Sequence, residues 1–458
     1  MPRMPSSECV RSPMRAPFRG TLLALLATRV AAFSALPEAP EPSLLDEAEW
    51  RLVKKAAPWT RRAGLQVVEI NEKFVLMGGR TARAPSTPVP IPGDSQVWSD
   101  VWESADDGVT WTQIAENGGS HWAPRAYFKC IVLGDRAYVM GGQNYKVVAA
   151  PGAGMQGGGG PPGDAAGPPA GMQGGGGPPG DAAGPPPGIA GDAMVAASDF
   201  FNDVWSTNDG VAWRRETEHA GWTSRAGLSA ITFDGALVVL GGSVNDDAAI
   251  LAGPSARIYH NDVWRSQDGA NWTQLAEHAP WAKRAGAALA VMGDALFLFG
   301  GECGFLADVD GVLPYFNDVW RTRDGARWER VTAEAPWPSR PGHWVLPLAD
   351  RFVLFGGFRP DETGIGEDNP VDMWTSADGE KWSLLAARPW SATTSADVKY
   401  DFAAIVSSSS SDSSIYTFGG DRETFNFFDP VNYLRIDNDV WAFGPVRHAH
   451  GVEVGAAV

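Results

Sequence analysis

The chain predicts an all-β fold: a six-bladed β-propeller of four-stranded antiparallel blades, with the ring closed by the N-terminal strand. Three observations carry this. An arginine reaches a Gly-Gly pair after an unvarying 16 residues, at Arg62–Gly78, Arg125–Gly141, Arg225–Gly241, Arg284–Gly300 and Arg340–Gly356. An Asp-x-Trp step then recurs, as in FNDVWSTNDGVAW (201–213), followed by an Asp-Gly turn and a second Trp. The last such step, Asp439 to Trp441, has no second half.

Each unit resolves into four strands. Between arginine and Gly-Gly lie two apolar runs split by a polar turn, GLSAITF-DGA-LVVLGG or GAALAVM-GDA-LFLFGG, which read as two buried strands in a tight hairpin. The double glycine marks a backbone approach that a side chain would block. In the Asp-x-Trp strand the period of two puts Asp and Trp on one face. The Asp-Gly turn closes a further hairpin, and the second Trp opens the fourth strand. A third Trp precedes the next arginine, as in PWAKR and PWPSR. All of the 20 tryptophans except Trp98 and Trp344 fall into these three classes, which assigns them to packing between stacked sheets. The expected structural set is Trp102, Trp205, Trp264, Trp320, Trp374 and Trp441 with Trp50.

A sixth unit runs from Lys399 through Gly419-Gly420 to Trp441, its hairpin lengthened by serines 407–411. It lacks an outer strand. EWRLVKKAAPWTRR (49–62) resembles RWERVTAEAPWPSR (327–340), so the N-terminal segment is expected to supply it, because an uncovered sheet edge is avoided and each blade buries its faces only against neighbours.

Bulk properties narrow the function. A formal charge of -17 argues against nucleic acid and anionic membranes as partners. No run is long enough to span a bilayer. The cysteines Cys9, Cys130 and Cys303 occupy unrelated positions, which predicts no disulfide framework and no metal site; no cofactor is expected either. Arginines followed by the apolar run 22–27 read residues 1–32 as a targeting peptide, for secretion or an endomembrane lumen, or as a bipartite plastid signal. A linker over 33–48, the propeller over 49–443 and a tail over 444–458 follow. The Gly/Pro repeat of 151–192 is expected to be a disordered excursion from blade 2. The protein is expected to be a monomer.

The Gly-Gly pair, the regularly spaced downstream Trp and the four-strand unit resemble the kelch repeat family over about residues 50–443. The Ser104, Asp106, Gly108 and Trp111 turn also resembles the sialidase Asp-box, which implies a structural turn. In such a meander the long, dissimilar connections, 80–98, 143–201, 243–260, 302–316, 358–370 and 421–438, gather on one face with the repeat cations. That face carries Arg62, Arg125, Arg225, Arg284, Arg340 and Lys399. One reading makes them an anion clamp. The other pairs them with Asp100, Asp203, Asp262, Asp318, Asp372 and Asp439 as structural links. Tyr127, Phe128, His343 and Trp344 break the small-residue pattern after their arginines, and the last two are candidate ligand contacts. Asp308, Asp310, Glu362, Glu367 and Asp368 fit no complete calcium loop. The resulting expectation is a non-catalytic propeller, with no catalytic residue, that binds a glycan or protein partner through its loops. The alternative is a carbohydrate-active enzyme, sialate mutarotase or sialidase-like, for which His343 with a loop carboxylate would be the acid/base pair.

Overall fold

Six four-stranded antiparallel sheets follow one another along the chain. The computed structural model describes residues 45–445 apart from 46, 84–94, 150–193, 245–256, 305–313, 364–365, 408–412, 425, 427–428 and 430. Blade 1 is Gln66–Ile70, Lys73–Ala82, Ser95–Ser104 and Thr112–Ala115. Blades 2 to 5 repeat that order, beginning at Lys129–Leu133, Ser229–Phe233, Ala288–Met292 and His343–Leu348. Blade 6 takes three strands from the C-terminal side, Ala403–Ser407, Ser414–Asp421 and Ile436–Pro445, and its outer strand, Ala48–Lys54, from the other end of the chain. That strand pairs antiparallel, Trp50 opposite Phe443 and Leu52 opposite Trp441, so the expected closure is what forms. The first strands touch in succession around the ring, which makes them the innermost strands and puts blades 2 and 5 opposite each other.

The three tryptophan classes pack the blades. Trp59, Trp122, Trp222, Trp281 and Trp337 are fully buried. Each meets the second Trp of the blade that follows it edge-on: Trp59–Trp111, Trp122–Trp213, Trp222–Trp272, Trp281–Trp328 and Trp337–Trp382, with centroids 5.9–6.3 Å apart. In blade 6 the pair is Trp390 with Trp50 at 5.7 Å, so the N-terminal strand brings the missing ring with it. Such pairs contribute about 0.5–1.5 kcal/mol each beyond the area they bury. The Asp-box-like turns are held from within. In one, the Ser266 hydroxyl accepts from Gly269 N (2.8 Å), Asp268 accepts from the Asn271 and Ala270 amides, and Trp272 donates to the Gly269 carbonyl. Those amide hydrogen bonds pull the Asp268 carboxyl down to about 2.

The Gly-Gly pairs explain their own invariance. Both members take positive φ, for example Gly78 at 62° and Gly79 at 99°. A Cβ on Gly79 would lie 2.9 Å from the Ala63 carbonyl oxygen, and one on Gly241 2.7 Å from that of Arg284. The first clash would part the strands within blade 1, and the second would drive blades 3 and 4 apart.

The targeting peptide 1–32, nearly all of the linker, the Gly/Pro insertion 151–192, the tail from 446 and the Asp308–Asp310 loop lie outside the described residues. Cys130 is a buried free thiol, whereas Cys303 is disulfide-bonded, a single bond that repeat position gives no way to foresee. No described helix is long and apolar enough to cross a membrane.

Deleting residues 48–54 would expose the Ile436–Pro445 edge and remove Trp50 from Trp390. Loss of a core Trp costs about 3–5 kcal/mol, and the partly buried Trp50 contributes a share of that on top of the lost strand pairing. The expected result is a large drop in the denaturant midpoint, with rescue when the peptide 45–60 is added in trans; an unchanged midpoint would contradict the closure.

Candidate functional site

The repeat cations come first, because they fix the frame. Arg62 is fully buried. Its guanidinium donates to Asp100 through Nη1 (2.6 Å) and Nη2 (3.0 Å), to the Gly78 carbonyl (3.1 Å) and, through Nε, to the Thr60 carbonyl (2.9 Å). Asp100 also accepts from the Trp102 indole at 2.8 Å. The same two-pronged fork joins Arg125 to Asp203, Arg225 to Asp262 and Arg284 to Asp318. Arg340 reaches one oxygen of Asp372 at 2.6 Å, and Trp374, which should share that carboxylate, leaves its indole N–H without a partner. Lys399 binds Asp439 at 2.5 Å and Asp437 at 3.4 Å. This is the interstrand pairing that the sequence offers as the second reading. The six cations thus sit on the expected face, but each is engaged by a carboxylate of its own blade.

His343 and Trp344 part company. His343 is buried at the position between blades that Leu65, Phe128 and Phe402 fill elsewhere, and its ring packs on Trp337 at 5.9 Å. Burial, aided by Arg340, lowers its pKa to about 3, so it is neutral. Trp344, one residue on, is only half-buried. Its indole donates to the Phe402 carbonyl at 2.8 Å, and its ring lies 5.1 Å from Lys129 Nζ.

What the geometry gathers is at the axis. Two residues after each repeat cation come Gly64, Tyr127, Gly227, Gly286, Gly342 and Asp401, and all six have positive φ, between 51° and 67°. Their amides run head to tail around the ring: Gly286 N donates to Gly227 O, Gly227 to Tyr127, Tyr127 to Gly64, Gly64 to Asp401 and Asp401 to Gly342, over 2.8–3.3 Å. Glycine suits such a ring. Tyrosine and aspartate are strained there by about 1–3 kcal/mol each, and strain of this kind collects at functional sites. The signal lies in the sequence as two departures from a glycine position, Tyr127 and Asp401.

Arg80 gathers groups from three blades beside them. Its Nε donates to the Tyr127 hydroxyl (2.8 Å), and its Nη2 contacts Asp421 and, at 2.7 Å, Glu423. Tyr400 donates its hydroxyl proton to the Glu423 carbonyl at 2.8 Å and packs edge-on to Phe358. Burial raises Asp401 to about 6, against the pull of Arg80, Lys129 and a hydrogen bond from Tyr127. Burial and the charge of Glu423 push Asp421 well up, with Arg80 opposing. Burial lowers Lys129 to about 8, with Asp401 opposing. The arrangement offers a phenol, a guanidinium and several carboxyls, a set suited to hydroxyl groups of a ligand. Among the described residues no group of three His, Cys, Asp or Glu is placed to hold a metal ion. Of the carboxylates weighed for calcium, Glu367 instead accepts from Arg435 at 3.2 Å.

No protein-family model matches the chain, and no curated protein matches it. Among solved structures it is similar to YjhT, with a TM-score of 0.52 and 14% sequence identity over 85% of this chain and 96% of that one. At such identity the likeness speaks for the propeller fold alone.

Two predictions follow from this geometry. Arg284→Met leaves the partly buried Asp318 without its fully buried partner and should cost up to about 3–5 kcal/mol; Arg340→Met, which breaks a one-pronged contact, should cost clearly less by the same denaturant titration. Equal losses would show that fork geometry does not set the contribution. For Asp401 the folded pKa of about 6 lies above its ordinary 3.8. The folded chain holds this proton more tightly, so the stability it brings is present below pH ~4 and is lost as pH rises through about 6. Asp401→Asn should therefore gain stability relative to the native chain between pH 4 and pH 7; a loss over that window would refute the assignment.

Proposed function

We propose that this chain is a non-catalytic, kelch-type binding propeller that takes a glycan on the face carrying its long loops, with the axial cluster as the seat. The observation that carries this reading is the placement of Tyr127 and Asp401 in backbone conformations that four of six blades give to glycine. The Tyr127 hydroxyl meets Arg80 and hydrogen-bonds Asp401, and Tyr400 and Phe358 supply apolar surface beside them. Sugars are held by this combination of paired polar groups and aromatic faces. The kelch resemblance, a monomeric state and a secreted or lumenal location, with a plastid as alternative, belong to the same proposal. A protein partner bound through the loops would use the same face.

The test is a glycan panel screened with the native protein and with Asp401→Gly and Tyr127→Gly. Each variant restores the residue the repeat uses elsewhere, so the melting temperature should hold or rise for Asp401→Gly. Affinity for any glycan that binds should fall by about tenfold or more, the cost of one lost charged hydrogen-bond partner. Glycan binding that survives both substitutions would remove the axial cluster from the reading. A second reading, a carbohydrate-active enzyme of the sialate mutarotase or sialidase-like class, is favoured by one pair: Asp401 near 6 and Lys129 near 8 bracket neutral pH as an acid/base couple would. Following sugar anomerisation by NMR in the same samples separates the two.

A further inference from the structure

Lys129 stands apart from every other paired cation near the axis. It opens the inner strand of blade 2 and reaches across the ring to Trp344 of blade 5, with Nζ 5.1 Å from the ring centroid. The indole is fixed by its hydrogen bond to the Phe402 carbonyl, so the amine rests on an immobile aromatic floor. Nζ has no hydrogen bond or ion pair with any described residue, whereas Lys73 pairs with Glu103 and Lys399 with Asp439. The side chain is only half-buried, so it keeps solvent contact inside the ring. Equivalent positions in the other blades carry Gln66, Ser229, Ala288, Trp344 and Ala403, none of them charged. The carboxyl whose field acts on it is that of Asp401.

We propose that Lys129 is a carbonyl-capturing amine, a site at which the chain forms an imine with a small aldehyde that enters the axial channel. The chemistry needs a neutral amine and a nearby acid. Burial, which lowers Lys129 to about 8, provides a usable neutral fraction at pH 7, as desolvated lysines do in Schiff-base sites. The amine lone pair attacks the carbonyl carbon and its oxygen takes a proton, giving a carbinolamine. The Asp401 carboxyl, held near 6, supplies the proton with which that hydroxyl leaves as water, and a protonated imine remains. Attack by water reverses the sequence, so no oxidant or reductant is consumed. The site does not depend on whether the axial cluster binds a glycan.

The experiment is trapping. The full chain is incubated at pH 7 with glyceraldehyde and cyanoborohydride, which donates hydride to an imine and leaves a stable secondary amine. Modified lysines are then mapped by mass spectrometry. Lys129 is expected to be labelled at least about tenfold faster than the exposed Lys55 and Lys381, because a desolvated amine is the better nucleophile. Lys129→Arg should remove the fast adduct and leave the slow ones. Labelling of Lys129 no faster than Lys55, or only after denaturation, would overturn the proposal. So would fast reaction with an acylating reagent but none with the aldehyde, which would show an accessible amine that captures no carbonyl. Because the mapping is done on the native chain, the result stands even if the variant does not fold.

Discussion

The propeller depends on a buried cation at each junction between blades, an arginine at five of them and Lys399 at the sixth. Through its side chain Arg62 ties two strands of its own blade, and through its backbone it ties that blade to the one before. Its amide donates to Asp437 O of blade 6, and its carbonyl accepts from Gly420 N. Arg125, Arg225 and Arg284 repeat the pattern toward blades 1, 2 and 3. A buried guanidinium is tolerated only when nearly all its donors are satisfied. Here the carboxylate, the Gly-Gly carbonyl and the carbonyl two residues upstream do this together, and the Trp indole fills the remaining capacity of the carboxylate. The glycines, the Asp-x-Trp step and the constant spacing are therefore one constraint. Each exists because the others place a charge inside the protein.

That coupling also explains why the frame could be read from the chain and the candidate site could not. Every blade solves the same packing problem, so Arg62 with Gly78, or Trp59 with Trp111, recurs at fixed spacing. The partners of the arginines were legible too, since an aspartate stands at the right place in all six blades. Arg80, Asp421 and Glu423 carry no such mark. They follow the Gly-Gly pair, where the blades hold Arg80, Gln143, Ser243, Glu302, Phe358 and Asp421 in turn, and no spacing tells which of these will meet. His343 misleads for a simpler reason: a strand alternates faces, and a shift of one residue sends His343 between blades and Trp344 toward the axis.

Blade 5 and blade 6 are where the repeat gives way. Arg340 loses one prong, Trp374 loses its acceptor, Lys399 replaces arginine, and the link between these blades bends through Trp390 and Ser391, both at positive φ. Asp401 is on that same side of the ring. A lysine has one point of charge where arginine has a fork, so it leaves the blade 6 carboxylates less fully neutralised. Asp437 is accordingly shared between Lys399 and Arg422. The departures cluster where acidic groups accumulate, which is what a site imposed on a repetitive frame would require.

The last step concerns the seam. Arg80 belongs to blade 1, Asp421 and Glu423 to blade 6, and Tyr127 to blade 2. The amide of Gly64 donates to Asp401 across the same junction. This is the one junction in the ring not made between successive blades along the chain. Asn438 clamps it by donating to the Ala57 and Trp59 carbonyls from nearly the whole length of the propeller away. Contacts of such separation are the slowest to form. The axial cluster therefore exists only in the closed ring, and an open ring would leave Asp421 facing water with no guanidinium beside it. Closure and site assembly are a single event, which makes the axial groups a reporter of whether head and tail have met.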